Sequence, residues 1–323
     1  MLPVKTSRLI LLAALLSIVA IPAMAQVNDT YVIPAAANAA GGFGTRWATR
    51  FSVFNPQLED TLRISVTFLR TGGTEGIEEF IDLPPNSLAS SDNILEALFE
   101  TTGTGSLLVA TFPEDNPGVP DDVLSRAFLV NSDTYNNSST GTYGQTIAGT
   151  WTGLLDYDDD QISSVAHGIR NTGNWRTNIG AVNLGRCSVT VRVNVYDFNG
   201  NRILNQSPFT VPPLGHIQDR LPIPVDGGTV EFFVDDPCSA DDDRYAVVFP
   251  YTSTIDNRSG DPAYQYPTLL ASPSILFAKP GRIDPTAIGK KIDSSYARKI
   301  RPHVERRSGA RLNKTAEGWQ ITK

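Results

Sequence analysis

Arg46-Trp-Ala-Thr-Arg-Phe-Ser-Val-Phe-Asn55 and Asn174-Trp-Arg-Thr-Asn-Ile-Gly-Ala-Val-Asn183 are two versions of one stretch, and they decide the fold. At a constant offset, four positions hold the same or a similar residue: Trp47 and Trp175, Thr49 and Thr177, Phe51 and Ile179, and Asn55 and Asn183. Such self-similarity predicts a duplicated module. It favours binding or scaffolding over catalysis.

The similarity continues beyond both stretches as alternating apolar residues. One copy has Leu62, Ile64, Val66 and Phe68, and the other has Val189, Val191, Val193 and Val195. Alternation with period two predicts strands with one buried face. Turn residues follow both runs, at Gly72-Gly73 and Asn199-Gly200, and a Pro-Pro pair ends the next strand in each copy. Residues 93–100 are the one stretch with a helical pattern.

These patterns predict an all-β protein of two tandem antiparallel immunoglobulin-like β-sandwiches, residues 26–150 and 164–278. An acidic linker, residues 151–163, joins them. A single large sandwich with one shared core is the competing architecture. It is less favoured because each copy carries its own set of buried faces.

The amino terminus has the pattern of a secretory signal peptide, residues 1–25, with cleavage after Ala25. Lys5 and Arg8 precede an apolar run of 13 residues, which is shorter than the roughly 20 residues of a membrane-spanning helix. The sequence therefore predicts export without a transmembrane span, to the periplasm, the cell surface or the medium.

Charge is divided unevenly along the chain. Residues 279–323 hold twelve Lys or Arg against four Asp or Glu, a net charge of +8, whereas residues 26–278 have thirteen against thirty, a net charge of −17. A basic segment of this kind can bind an anionic surface or fold back on the acidic modules. The favoured interpretation is a flexible, soluble tail. Nucleic acid is not expected as a partner of an exported chain.

Two cysteines, Cys187 and Cys238, are predicted to form a disulfide, because export places them in an oxidising compartment. The corresponding positions of the first copy are Glu59 and Asp115. A disulfide is therefore not a general requirement of this module.

No short catalytic motif is present in the sequence, which has three histidines, His167, His216 and His303. The sequence therefore predicts that the protein is not an enzyme. Glycosidases that use two carboxylates carry no short motif, so a glycan-active enzyme remains the third hypothesis.

Aromatic residues near a polar loop, residues 131–149, are the candidate recognition surface. The predicted ligand-binding residues are Trp151, Tyr143, Gln145, Tyr264 and Tyr266. Trp47 and Trp175 alternate in phase with apolar residues, which predicts that both pack in the cores.

Asp156, Asp158 and Asp160 alternate in the linker like the first half of a calcium loop. The positions that require Gly and Glu in an EF-hand hold Gln161 and His167 instead, so only an irregular calcium site is predicted. No other cofactor is expected. The alternative interpretation of this acidic run is a solvated loop.

The string Trp-Arg-Thr-Asn-Ile-Gly-x-Val-Asn at residues 175–183 resembles a recurring module of uncharacterised exported bacterial proteins. The resemblance is weaker in the first copy, where Arg50 and Phe51 stand in place of Asn178 and Ile179. It implies export, bacterial origin and repeated β modules, and it implies no chemistry.

Together these features predict an exported, non-enzymatic cell-surface or extracellular scaffold or adhesion protein. Its partners would be a surface protein or a glycan. The alternative is a carbohydrate-binding protein that uses the loop aromatics.

Overall fold

The computed structural model describes residues 27–41, 44–138, 141–157, 162–271, 289–307, 310–316 and 318–322. The predicted signal peptide lies outside them. The described residues are all-β, as the alternation predicted, and two short α-helices lie among the strands. None of the helices in these ranges has the length and the apolar character needed to cross a membrane.

The N-terminal half, residues 27–150, contains eight strands and helix α1, Ile94–Phe99. The strands are β1 Thr30–Ala40, β2 Arg46–Asn55, β3 Leu62–Arg70, β4 Gly76–Leu83, β5 Ser87–Ser91, β6 Gly103–Thr111, β7 Leu129–Ser138 and β8 Gly141–Thr146. The pairing orders are β4-β3-β6-β1 and β5-β2-β7-β8. The end of β1 also pairs with β2, after a register shift between Ile33 and Ala36, and so joins the two layers.

The C-terminal half, residues 162–271, follows the short strand β9 Thr152–Gly153. Its strands are β10 Ile162–Asn171, β11 Trp175–Asn183, β12 Val189–Tyr196, β13 Arg202–Val211, β14 Gly215–Arg220, β15 Val225–Asp235, β16 Val248–Asp256, β17 Pro262–Gln265 and β18 Thr268–Ala271. They form two sheets, β13-β12-β15-β10-β18 and β14-β11-β16-β17. Strands β10 to β17 thus repeat the two pairing orders of β1 to β8, except that β1 also pairs with β2 whereas β10 pairs with β18.

Each half buries the alternating residues that the sequence singled out. Leu62, Ile64 and Val66 lie in the core cluster of the N-terminal half. The four valines at 189, 191, 193 and 195 lie in the core cluster of the C-terminal half. Helix α1, at the position predicted, adds four further buried side chains to the N-terminal core: Ile94, Leu95, Leu98 and Phe99.

The asparagines that end the two signature strands hold matching turns. Asn55 accepts a hydrogen bond from Gln57 N, and its amide donates to backbone carbonyls that include Leu83 O. Asn183 accepts from Gly185 N and donates to carbonyls that include Val211 O. A buried Asn side chain that satisfies several backbone groups fixes the loop around it.

A third apolar cluster lies between the halves. It combines residues of both halves with helix α2, Ser294–Ile300: Val32, Leu108 and Phe112 from the first, Val182, Val247 and Phe249 from the second, and Tyr296 and Ile300 from the helix. Tyr251 of the C-terminal half reaches into the N-terminal core cluster. Residues of the predicted linker also pack inward, since Leu154 is buried and pairs with Val248. The halves therefore share buried surface.

The basic C-terminal segment, residues 289–322, folds back onto the acidic body. It contains β19 Lys290–Lys291, α2, β20 Val304–Arg306, β21 Arg311–Thr315 and β22 Gly318–Thr322. Strand β20 pairs in parallel with the edge strand β4, and β22 pairs in parallel with the edge strand β5. The prediction of a flexible tail is wrong for these described residues, because free strand edges and opposite charges hold them in place.

Ion pairs accompany the strand pairing of the C-terminal segment. The buried Arg301 contacts Glu78 at 3.1 Å and Glu114 at 3.1 Å, and it also pairs with Asp115. Arg306 contacts Glu78 at 3.0 Å. Part of the positive charge of this segment is thus paired with carboxylates of the acidic body.

The predicted disulfide between Cys187 and Cys238 is confirmed. It closes a loop with a sequence separation of 51 residues, which in the chain-entropy description contributes about 4 kcal/mol of stability.

Candidate functional site

A cavity of about 240 Å³ lies where the two halves meet. One wall is the small-residue strand β1 of the N-terminal half. The opposite wall is the outward face of β14, β11 and β16 of the C-terminal half, and it carries polar residues: Arg176, Asn178, His216, Gln218 and Ser253. Polar side chains at outward positions of an ordinary sandwich would face water. Here they face the other half.

The apolar wall consists of alanines and one tryptophan. Ala35, Ala36, Ala37, Ala39 and Ala40 line the cavity together with Trp47. The alanines leave space because none extends beyond Cβ. Trp47 is half-buried, and so is Trp175, which lies against the guanidinium of Arg170. The prediction that both tryptophans pack in the cores is therefore wrong, since neither belongs to a core cluster of the described residues.

A buried hydrogen-bond chain supports the polar wall. His216 Nδ1 lies 2.6 Å from Thr71 Oγ1, and His216 Nε2 lies 2.7 Å from Tyr251 Oη. Tyr251 Oη donates to Gln218 Oε1 at 2.8 Å. Burial lowers the pKa of His216 to about 3 and raises the pKa of Tyr251.

The direction of this chain follows from the donors. Because the Tyr251 hydroxyl proton goes to Gln218, the hydroxyl oxygen accepts from His216 Nε2–H, and Nδ1 then accepts from Thr71. Both nitrogens of the neutral imidazole are engaged. The Gln218 carbonyl oxygen is also engaged, so the NH2 group is the remaining polar group of that side chain.

Gln145 and Arg176 complete the polar wall. Gln145 Oε1 accepts from Ser253 Oγ at 3.1 Å, which again leaves an NH2 group as the remaining polar group. Arg176 Nη1 donates to Asn257 Oδ1 at 2.7 Å. Partial burial lowers the pKa of Arg176, and the positive charge of Arg220 lowers it further.

The walls of the cavity carry few charged side chains. Among the described residues that line it, Arg176 is the one charged side chain, and no carboxylate is present. No carboxylate pair is present among these described lining residues, and both nitrogens of the His216 imidazole are engaged by Thr71 and Tyr251.

Of the five predicted ligand-binding residues, only Gln145 lines this cavity. Trp151 packs edge-on against Tyr31 at a centroid distance of 5.3 Å. Tyr143 lies on β8, opposite Asn136 of the neighbouring strand β7. The prediction had treated Trp151 as available to a ligand, but the contact with Tyr31 ties its ring to the interior.

The two remaining tyrosines of that set also have interior roles. The Tyr264 ring stacks on Tyr251 at 5.6 Å, and burial raises the pKa of the Tyr264 hydroxyl. The Tyr266 hydroxyl donates to the carbonyl oxygen of Thr152. Neither ring forms an exposed platform for sugar stacking.

The predicted calcium residues are only partly covered by the structure. Asp156 lies beside a separate cavity of about 250 Å³ near Lys290 and Lys299, whereas Asp158 and Asp160 are outside the described residues. In the described ranges, no group of three or more His, Cys, Asp or Glu side chains converges as metal ligands would. Calcium binding by these aspartates stays a prediction.

Sequence reasoning missed most of the cavity. Arg176 and Asn178 were recognisable as outward polar positions of a strand, because they alternate with the buried Thr177 and Ile179. What the sequence could not indicate was that the outward face of one half meets the other half. His216 carried no motif at all.

The comparisons with known proteins give no further assignment. No protein-family model, no curated protein and no solved structure matches this chain. The arrangement of the cavity is therefore the basis for a functional proposal.

Proposed function

We propose that this protein is an exported, non-enzymatic binding protein whose junction cavity holds a small polar ligand of the carbohydrate class. The observation that carries the proposal is the cavity itself. It places the Trp47 ring and an alanine wall opposite hydrogen-bonding side chains. Sugars have apolar C–H faces and polar hydroxyl edges, and such two-sided walls suit them.

The size of the cavity favours a single sugar unit. Sites for drug-sized molecules have volumes of roughly 300–1,000 Å³, and this cavity has about 240 Å³. A monosaccharide, or one residue of a longer chain entering from solvent, is the ligand of matching size.

We further infer that the two halves are immunoglobulin-like sandwiches that arose by duplication. The pairs β2–β5 and β3–β6 correspond to the B–E and C–F pairs of that fold, and β11–β14 and β12–β15 repeat them. The matching asparagine turns support the same inference.

Export to the periplasm, the cell surface or the medium is part of the proposal. It is supported by the signal-peptide pattern of residues 1–25 and by the disulfide. Partners are then extracellular glycans or proteins. An anionic surface loses support as a partner of the basic segment, since Arg301 and Arg306 pair with carboxylates of the same chain.

Calorimetric titration of the chain without its predicted signal peptide tests the proposal. Neutral monosaccharides should bind at millimolar concentration or tighter and change the tryptophan fluorescence. Trp47→Ala should abolish this binding. Trp175→Ala is the matched control, because Trp175 holds the corresponding position in the other half and does not line the cavity. Absence of binding by every monosaccharide tested, or equal losses in both variants, would contradict the proposal.

A scaffold or adhesion protein is the second candidate. It is favoured by the shared buried surface of the two halves and by the C-terminal segment packed on them, which together make a rigid spacer. A pull-down from surface extracts with the same chain distinguishes the candidates. Capture of a defined protein partner that monosaccharides do not displace would favour the scaffold.

A further inference from the structure

We propose that an exposed apolar surface of the N-terminal half docks a second protein, whose contact face is apolar at its centre and basic at its rim. This surface, termed the leucine surface, consists of Leu58, Leu88, Val123, Leu124 and Leu129. None of these residues lines the junction cavity. The leucine surface is therefore a site beyond the proposed function.

The exposure of the leucine surface is concentrated at one place. In the part of the chain that the structure describes, seven large apolar side chains are exposed, and five of them form this surface. Leu58 is 82% exposed and Leu124 is 70% exposed. Single exposed apolar side chains are ordinary, but a group of them at one place marks an interaction site.

Strand register and a loop contact bring these side chains together. Leu88 of β5 and Leu129 of β7 lie opposite Phe54 of β2 from its two sides. Phe54 stands between two buried neighbours in its strand, so this row lies on the outward face of the sheet. The loops at this end of the strands adjoin one another, because Gln57 Nε2 donates to Leu124 O at 3.0 Å.

The C-terminal half contains the same row of strand positions. At the offset that aligns the two signature stretches, Phe54 corresponds to Val182. Val182 lies opposite His216 of β14 and Phe249 of β16. All three are at most 1% exposed, because the N-terminal half packs on them through the third apolar cluster and the hydrogen bond from Gly72 N to His216 O.

The corresponding row of the N-terminal half has no such cover among the described residues. Leu88 holds the position of His216 and is 45% exposed, and Leu129 holds the position of Phe249 and is 42% exposed. A row that is buried between two sandwich halves at one place in this chain is thus open at the other. This correspondence favours a packed protein surface as the occupant.

The charge around the leucine surface indicates the character of that occupant. The acidic residues of the adjoining loops are Glu59, Asp60, Asp121 and Asp122. Arg126 is the one basic residue of these loops, residues 56–60 and 120–127; its side chain is buried and pairs with Asp29 at 3.4 Å and with Asp121 at 2.8 Å. An acidic rim attracts a basic partner, and it repels the same rim of a second copy in a symmetric contact.

Two synthetic peptides test the assignment with the chain that lacks its predicted signal peptide. Both are amphipathic helices of equal length with a leucine face, and the polar face is lysine in one and glutamate in the other. An amphipathic helix docks its apolar face on an apolar surface. In fluorescence anisotropy the Leu/Lys peptide should bind at least about tenfold tighter than the Leu/Glu peptide, and its affinity should fall as ionic strength rises.

Substitutions locate the binding. Leu124→Ser and Leu129→Ser should each weaken the Leu/Lys peptide about tenfold, because each removes apolar area from the contact. Phe198→Ser is the matched control, since Phe198 is 79% exposed on the turn between β12 and β13 and lies outside the leucine surface. Tm and circular dichroism of the three variants establish that they fold.

Each remaining outcome overturns the assignment. Absence of binding, or equal affinity for the two peptides, removes the basic partner. Binding that survives both leucine substitutions, or that Phe198→Ser weakens equally, places the contact elsewhere. A dimer in sedimentation experiments that Leu124→Ser dissociates would make a second copy the occupant. None of these results bears on sugar binding in the junction cavity, which the leucine surface does not line.

Discussion

Arg301 holds the C-terminal segment on the N-terminal half through buried ion pairs, and its replacement by Met tests that role quantitatively. Its side chain is 7% exposed and pairs with Glu78, which is 1% exposed; two further carboxylates, Glu114 and Asp115, complete the cluster. Loss of one partner from a buried ion pair costs about 3–5 kcal/mol, because the other charge stays behind in a low dielectric. Arg306 still compensates Glu78, so we expect the lower end of that range, about 3 kcal/mol.

Urea unfolding followed by circular dichroism measures this loss, and hydrogen exchange in residues 294–306 shows whether the segment is released. Arg298→Met is the matched control. Arg298 is 48% exposed and pairs with Glu114 at 3.3 Å, so its loss should cost about 0–1 kcal/mol. The double variant Glu78→Gln/Arg301→Met should lose less than the sum of the single losses. Equal losses for Arg298→Met and Arg301→Met, or strict additivity in the double variant, would refute the reasoning.

Three further predictions concern pH, the strand edges and calcium. His216 has a pKa of about 3 in the folded protein and about 6.5 in the unfolded chain, so between these values the unfolded chain binds more protons. The stability of the protein should therefore fall as pH drops below about 6.5. Between pH 7.5 and pH 5 this group should lower the free energy of unfolding of the unmodified protein by about 2 kcal/mol, and His216→Gln should not show this loss. An identical pH dependence of stability in the two proteins would contradict the prediction. Deletion of residues 301–323 should expose the edges of β4 and β5 and cause self-association, which light scattering detects; a deletion variant that folds and stays monomeric would show that these edges need no cover. Millimolar calcium should raise Tm, and Asp158→Asn should abolish the rise; no rise in the unmodified protein removes the proposed calcium site.

Local patterns in the sequence were sufficient to predict strands β3 and β12 and their buried faces. Alternation identified Leu62 to Phe68 and Val189 to Val195 as half-buried, and every one of the apolar positions in these two runs is buried. The role of Asn55 and Asn183 in capping turns was also recognisable, because each follows an apolar run and precedes a turn. These features depend on residues close in sequence, so a single chain carries the information.

The cavity depends on contacts between distant residues, which local patterns do not determine. Trp47 has the same phase as the buried Phe51 and Val53, but at its end of the strand that face opens on the cavity. Tyr251 lies within β16, and its side chain enters the core of the other half. The alanine run of β1 was visible in the sequence, yet its meaning required knowing which surface lies opposite.

The exposed strand edges explain why the C-terminal segment folds back and where it does so. Edge strands with unpaired N–H and C=O groups invite association. In the N-terminal half, β20 covers β4 and β22 covers β5. In the C-terminal half the corresponding edges are closed differently. On β13, Pro208 and the left-handed backbone conformation of Gln206 lie beside a register shift. Strand β14 is covered by the N-terminal half, where Gly72 N donates a hydrogen bond to His216 O. Because the contact at β14 also forms a wall of the cavity, the same packing that closes this edge creates the junction cavity.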